Sequence, residues 1–152
     1  PLLVGALLMA GCQKDAASNE AAPTSAPDAK PGLSVSGGKL VMPAVKGNPA
    51  AAYFTISNGS DKAVKIAAID VAGAGMAMIH ETKTVDGHST MEMLMSPEVP
   101  AHGSLEFGPG GKHVMVTDLT DTLAPGKTAE LTITFDDGDK VSAPLSVVAV
   151  GG

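Results

Sequence analysis

The chain has 152 residues, a formal net charge of −6 and only 10 Lys and Arg, scattered without a cluster, which argues against nucleic acid or anionic lipid as a partner. Its length gives room for one domain of ordinary size. There is one cysteine, Cys12, so any chemistry that needs several thiolates is excluded from the outset.

Residues 1–11, "PLLVGALLMAG", form an apolar run followed by small residues, the shape of a signal-peptide h-region with its cleavage site, and too short to span a bilayer. The run has no initiating methionine and no basic segment before it, so the chain is read as starting part-way through a leader. Met9-Ala10-Gly11-Cys12 resembles the lipobox of bacterial lipoproteins, in which the cysteine becomes the lipidated first residue. Residues 13–32, "QKDAASNEAAPTSAPDAKPG", are rich in Ala, Ser, Pro and charged or amide residues without apolar periodicity, and read with Cys12 as a lipidation site and disordered tether over 12–32. With Cys12 carrying lipid, no disulfide, cysteine nucleophile or thiolate metal ligand remains.

From residue 33 to 150 no long helix is written. Apolar residues alternate at period two in short runs broken by Gly, Pro, Asn and Asp. Strands are expected at 39–46, 51–57, 63–71, 76–83, 89–95, 104–107, 113–118, 129–135 and 140–149, with "DDGD" at 136–139 a hairpin signal between the last two. Eight or nine short strands with regular turn punctuation predict an antiparallel Greek-key β-sandwich. Tyr53, Phe54, Phe107 and Phe135 are the only aromatics, so the core must be mainly Val, Ile, Leu and Ala.

Five of the eight methionines fall within "GMAMIHETKTVDGHSTMEMLM", residues 75–95. Residues two apart on a strand share a face, which puts Met76, Met78 and His80 together on one strand and Met91, Met93 and Met95 together on the next. With Asp86-Gly87 as a two-residue turn, facing residues have numbers summing to 173: His80 lies opposite Met93, with Met91 on the diagonal, and Met78 opposite Met95. A one-residue bulge would instead separate the two sets. His113 and Met115, again two apart, can bring one nitrogen and one sulfur from a third strand.

Thioether with neutral imidazole is the ligand set of a soft monovalent ion, Cu(I) above all, whereas Mg(II) and Ca(II) want oxygen and a blue-copper centre needs a thiolate. Methionine alone is more often a core gap-filler, and that reading is preferred for Met76, Met78, Met95 and Met42. Spacing does not choose between Met91 and Met93. His88, three residues before Met91, is a candidate auxiliary ligand with Met93, and His102 in "PAHGS" has no assigned role.

His80, ten residues, Met91, twenty-one residues, His113, one residue, Met115 reproduces the H-x10-M-x21-H-x-M signature of the periplasmic PCuAC copper chaperones. "NPAAAYFTISN", "IHETKTVDG", "VPAHGSLEFGPGGKHVM" and "LAPGKTAELTITFDDG" are similar to the same family, so the resemblance runs from about Leu40 to Val148. It implies a cupredoxin-like β-sandwich holding Cu(I) through His80, Met91, His113 and Met115; together with the lipobox resemblance at Cys12, the expectation is a periplasmic monomer anchored to a membrane. It implies delivery of copper to the binuclear centre of cytochrome c oxidase, with subunit II or a Sco-type copper protein as partner. Some relatives carry a His- and Met-rich C-terminal tail for a second copper; here the sequence ends "SVVAVGG". A copper-sequestering lipoprotein without a recipient, and an adhesion or scaffolding sandwich whose methionines are packing, are the competing readings. No enzyme is expected: no Ser-His-Asp spacing, paired carboxylates or cysteine nucleophile is present.

Overall fold

A computed structural model describes residues 30–152, so the leader, Cys12 and most of the 12–32 segment lie outside the described residues. Alternating patterns become ten strands: β1 Leu33–Met42, β2 Ala50–Asn58, β3 Val64–Val71, β4 Met76–Val85, β5 His88–Met93, β6 Glu98–Val99, β7 Gly103–Phe107, β8 Lys112–Thr117, β9 Thr128–Phe135 and β10 Lys140–Ala149. They join in the order β5-β4-β8-β2-β1-β10-β9-β3-β6, with β7 branching from β2, and β3 folds back into contact with β4 without pairing to it. The result is the expected all-β, cupredoxin-like sandwich.

Every second residue of β2 and β9 turns inward: Ala50, Ala52, Phe54 and Ile56 on one, Ala129, Leu131, Ile133 and Phe135 on the other. Val114 and Val116 of β8 and Ile79 of β4 join the same apolar cluster, which anchors the inner face of the strands that carry the candidate ligands. Phe54 and Phe107 stack in this core with ring centroids 4.5 Å apart. Asn58 is the one buried polar side chain among the described residues. It donates to the carbonyls of Lys62 and Val99 at 2.8 and 3.3 Å and accepts from the backbone N–H of Ser60, so its burial leaves nothing unpaired.

Four expectations need correction. The ladder is not purely antiparallel, because β1 and β10 run parallel from Lys39↔Ser146 to Met42↔Ala149. These strands come from opposite ends of the domain and no hairpin dictates their direction, which period-two alternation does not encode. The first strand begins at Leu33 rather than 39 and ends before Pro43, which has no N–H to give a ladder. Its early half is hidden by Gly37-Gly38, where the register with β2 shifts; a Cβ at Gly38 would lie 2.5 Å from the Pro144 carbonyl oxygen, so only glycine lets the two backbones approach. Finally, the two-residue β6 is too short to leave a periodic signal.

Because Phe107 is 2% exposed and stacked on Phe54, Phe107→Ala is expected to lower the free energy of unfolding by about 3–5 kcal/mol. Urea unfolding followed by circular dichroism measures this; a loss below about 1 kcal/mol would contradict a core built around that pair.

Candidate metal centre

Asp86 and Gly87 both have positive φ, 52° and 78°, the combination of a type I′ hairpin turn whose twist matches that of the flanking strands. Val85 therefore faces His88, and the unbulged ladder carries that pairing down to Thr82↔Met91, Glu81↔Glu92 and His80↔Met93. On the other side of β4, β8 pairs His80 with His113 and Met78 with Met115. The expected register holds as far as His80↔Met93, where β5 ends short of the expected Met78–Met95 pair, and the third strand arrives in phase with it. His80 thus sits with His113 on one flank, Met93 on the other and Met91 on the diagonal.

The side chains confirm the convergence. His80 Nδ1 lies 3.2 Å from Met91 Sδ, and the His80 and His113 rings meet edge to face with centroids 6.0 Å apart. His113 Nδ1 lies 3.1 Å from the Gly111 carbonyl oxygen. A carbonyl can only accept, so Nδ1 carries the proton and Nε2 keeps its lone pair for a metal, the usual way a backbone carbonyl fixes a ligating imidazole. The same carbonyl accepts the Thr82 N–H at 3.1 Å, tying the start of β8 to β4. His80, His113 and Met115 are half-buried, while Met91 is 53% exposed on the edge strand β5.

On the reverse face of this three-strand unit runs a line of charge that sequence reading missed. Lys112 Nζ on β8 donates to Glu81 on β4 at 2.7 Å, and Lys83 bridges Glu92 on β5 at 2.8 Å and Glu81 at 3.7 Å. Glu81 and Lys83 share the parity of Ile79, so they continue the inner face beyond the core and hold β8, β4 and β5 together where apolar packing runs out. The Lys112 ammonium beside it holds the Glu81 carboxyl below the usual carboxylate range. The signal was present in the facing numbers of Glu81 and Glu92 and became readable only once β8 was known to lie alongside β4.

Met76, Met78 and Met95 are not core, contrary to expectation. Met76 is 52% and Met95 82% exposed, and Met78 is half-buried on the outer face beside Met115. Alternation shows which residues share a side but not which side is inside; Ile79, on the opposite parity, took the core. Met42 does pack against the core. His88 is not brought to Met91. Three residues is an odd separation, so His88 points to the other face of β5, at the far end of the hairpin. His102 forms a surface pair with Asp61 at 2.7 Å. Among the described residues there is no group of three or more His, Cys, Asp or Glu placed to hold a metal, so the sulfur atoms are essential to any site here.

Partial burial, and then the nearby charge of His113, push the His80 imidazole below its ordinary value of about 6.5. The unfolded chain then takes up the proton first, so the His80 contribution to stability is present above the ordinary value and is lost as pH falls from there through the lowered one. Side-chain NMR titration should give His80 a midpoint below that of a free imidazole, shifted part-way back in His113→Ala; a midpoint at or above the free value would contradict this environment.

Residues 33–147 match the family described as "Putative lipoprotein LpqE-like". A curated relative, "Putative lipoprotein Lxx21020" of Leifsonia xyli subsp. xyli, is 33% identical over 99 residues, covering 64% of this chain and 58% of its own; the chain thus spans under two thirds of that relative's length. Among solved structures, the apo PmoF2 PCuAC domain superposes with a TM-score of 0.67 at 19% identity, covering 82% of this chain and 96% of that one, a likeness of fold. The solution structure of CuI-DR1885 from Deinococcus radiodurans superposes with a TM-score of 0.60 at 26% identity, covering 87% and 85% of the two chains.

Proposed function

The chain belongs to the LpqE-like lipoprotein family and has the fold of the non-enzymatic PCuAC copper-chaperone domains, and from that premise we propose that it carries Cu(I) in the cell envelope through His80, Met91, His113 and Met115. The observation that carries the reading is the meeting of His80 Nδ1 and Met91 Sδ at 3.2 Å, with His113 directly across the ladder and Met115 two residues further along β8, all on one solvent-facing surface. Two imidazoles and two thioethers without a thiolate or carboxylate are a soft, uncharged donor set, suited to Cu(I) and poorly suited to Mg(II) or Ca(II). Copper is here a cargo. The protein's task is to hold it and give it up.

The arrangement supplies both. β8 and β4 are anchored through their inner faces to the core, so His80, His113 and Met115 are fixed. Met91 stands on β5, which pairs on one side only and whose residues are exposed throughout. A recipient's ligand would therefore displace Met91 first, passing the ion on through a mixed-ligand intermediate while the two imidazoles retain it. Neutral thioethers leave without a proton or a charge to compensate, so the exchange costs little beyond the geometry.

As the recipient we propose the binuclear copper centre of cytochrome c oxidase, through subunit II or a Sco-type copper protein, with lipid on Cys12 and the 12–32 tether confining the search to a membrane surface. The lipoprotein names of the family and of the Leifsonia relative support the anchor. Anaerobic titration with Cu(I) against a competing chelator should give one tight equivalent without a visible blue band, abolished in His113→Ala. Absence of that equivalent would overturn the copper reading. Cells lacking the protein should lose oxidase activity; copper sensitivity with intact oxidase would replace delivery by sequestration.

A further inference from the structure

The four-residue site leaves Met78, Met93 and Met95 without a task, although Met78 and Met93 are within one ladder step of it and Met95 follows Met93 by two residues, just beyond β5. Met93 lies directly opposite His80 and Met78 directly opposite Met115. These three methionines line a single cleft of about 170 Å3 where the chain leaves β5 and crosses towards β3. The cleft is floored by the buried Ile66, Ile69 and Ile79, and no acidic, basic or imidazole side chain lines it; besides sulfur, its only side-chain donor is the Ser96 hydroxyl.

Packing does not account for these side chains. Met93 is 55% and Met95 82% exposed, so their thioethers fill no gap, and leaving large apolar groups in water beside a metal-binding surface has no structural return. Ser96 takes φ 51°, a left-handed turn directly after Met95, and the next residue, Pro97, accepts the Ile66 N–H at 3.0 Å, so the chain is turned onto β3 at this point. The Leu94 N–H bonds the Ile79 carbonyl at 2.9 Å, so the methionines on either side of Leu94 are held at fixed backbone positions.

We propose that Met78, Met93 and Met95 form a second, weaker soft-ion subsite, which receives Cu(I) and passes it to the adjoining His80 site. The inference rests on the copper reading above. Three thioethers match the preference of a d10 monovalent ion, and none of them titrates near neutrality, so this subsite fills at pH values where imidazole ligands are protonated. Lacking imidazole and being open to solvent, it holds copper less tightly than the main site. The ion stays Cu(I) throughout, and each step exchanges one neutral sulfur for another ligand, with no electron or proton transferred. Met78 opposite Met115 and Met93 opposite His80 make the two sets of ligands direct neighbours.

The test is anaerobic Cu(I) addition to protein carrying 13C-labelled methionine methyl groups. The first equivalent should move the Met91 and Met115 signals, and a second, weaker equivalent those of Met78, Met93 and Met95. In the triple variant Met78→Leu, Met93→Leu, Met95→Leu, which conserves volume, the second equivalent should disappear and the first remain. Methyl signals of Met78, Met93 and Met95 that stay unmoved in excess Cu(I), or a second equivalent that persists in the triple variant, would overturn the subsite. Failure of the first-equivalent signals alone would instead contradict the His80 site and overturn the hand-over to it, while still showing Cu(I) bound by Met78, Met93 and Met95.

Discussion

A two-residue turn at Asp86-Gly87 sets the parity on which the proposed metal-binding surface depends. Positive φ at both positions lets β4 and β5 pair without a bulge, so Met91 and Met93 come to the side of the sheet that carries His80. One inserted residue would send both sulfurs to the reverse face, among Glu81, Lys83 and Lys112. The sheet is two-sided at this point, apolar and then charged on the inner face, sulfur and imidazole on the outer. The alternation of side chains along β4 alone keeps the two chemistries apart.

The remainder of the fold makes that surface rigid on β4 and β8 and loose on β5. Val114 and Val116 seat β8 in the core, Ile79 seats β4, and the shared Gly111 carbonyl fixes both the backbone of Thr82 and the ring of His113. β5 has no such anchor and is held by its hydrogen-bond ladder and by the Lys83–Glu92 pair, which at about half exposure contributes little. A gradient of constraint therefore runs across the site, from a core-anchored histidine to a solvated methionine. On the copper reading proposed above, that gradient would put the affinity in the fixed imidazoles and the lability in the edge thioether, as a carrier requires and a storage site does not.

Much of this was legible in the residues themselves. Period-two alternation and Asx-Gly turns give an all-β sandwich, and one turn with its parity rule gives His80 opposite Met93. The direction of β1 against β10 was not legible, because strands from distant parts of a sequence pair through a shared core rather than a shared turn. Nor was the inside of β4: Met76, Met78 and His80 are plainly one set, but only the competing demand of Ile79 for burial decides that the set faces solvent. His88 shows the converse error, in which nearness along the chain suggests a ligand and strand geometry removes it. In the Lys112–Glu81–Lys83–Glu92 line, the link to Glu92 lies within the β4–β5 hairpin and follows from its register, whereas the Lys112–Glu81 link joins residues 31 apart, which no local pattern records.

The most direct test of the central claim is the copper K-edge X-ray absorption spectrum of the protein loaded with one equivalent of Cu(I). A mixed first shell of sulfur and nitrogen is expected, with imidazole multiple scattering that diminishes in His113→Ala. A shell of nitrogen and oxygen alone would contradict it and would mean that the methionines around His80 take no part in holding the metal.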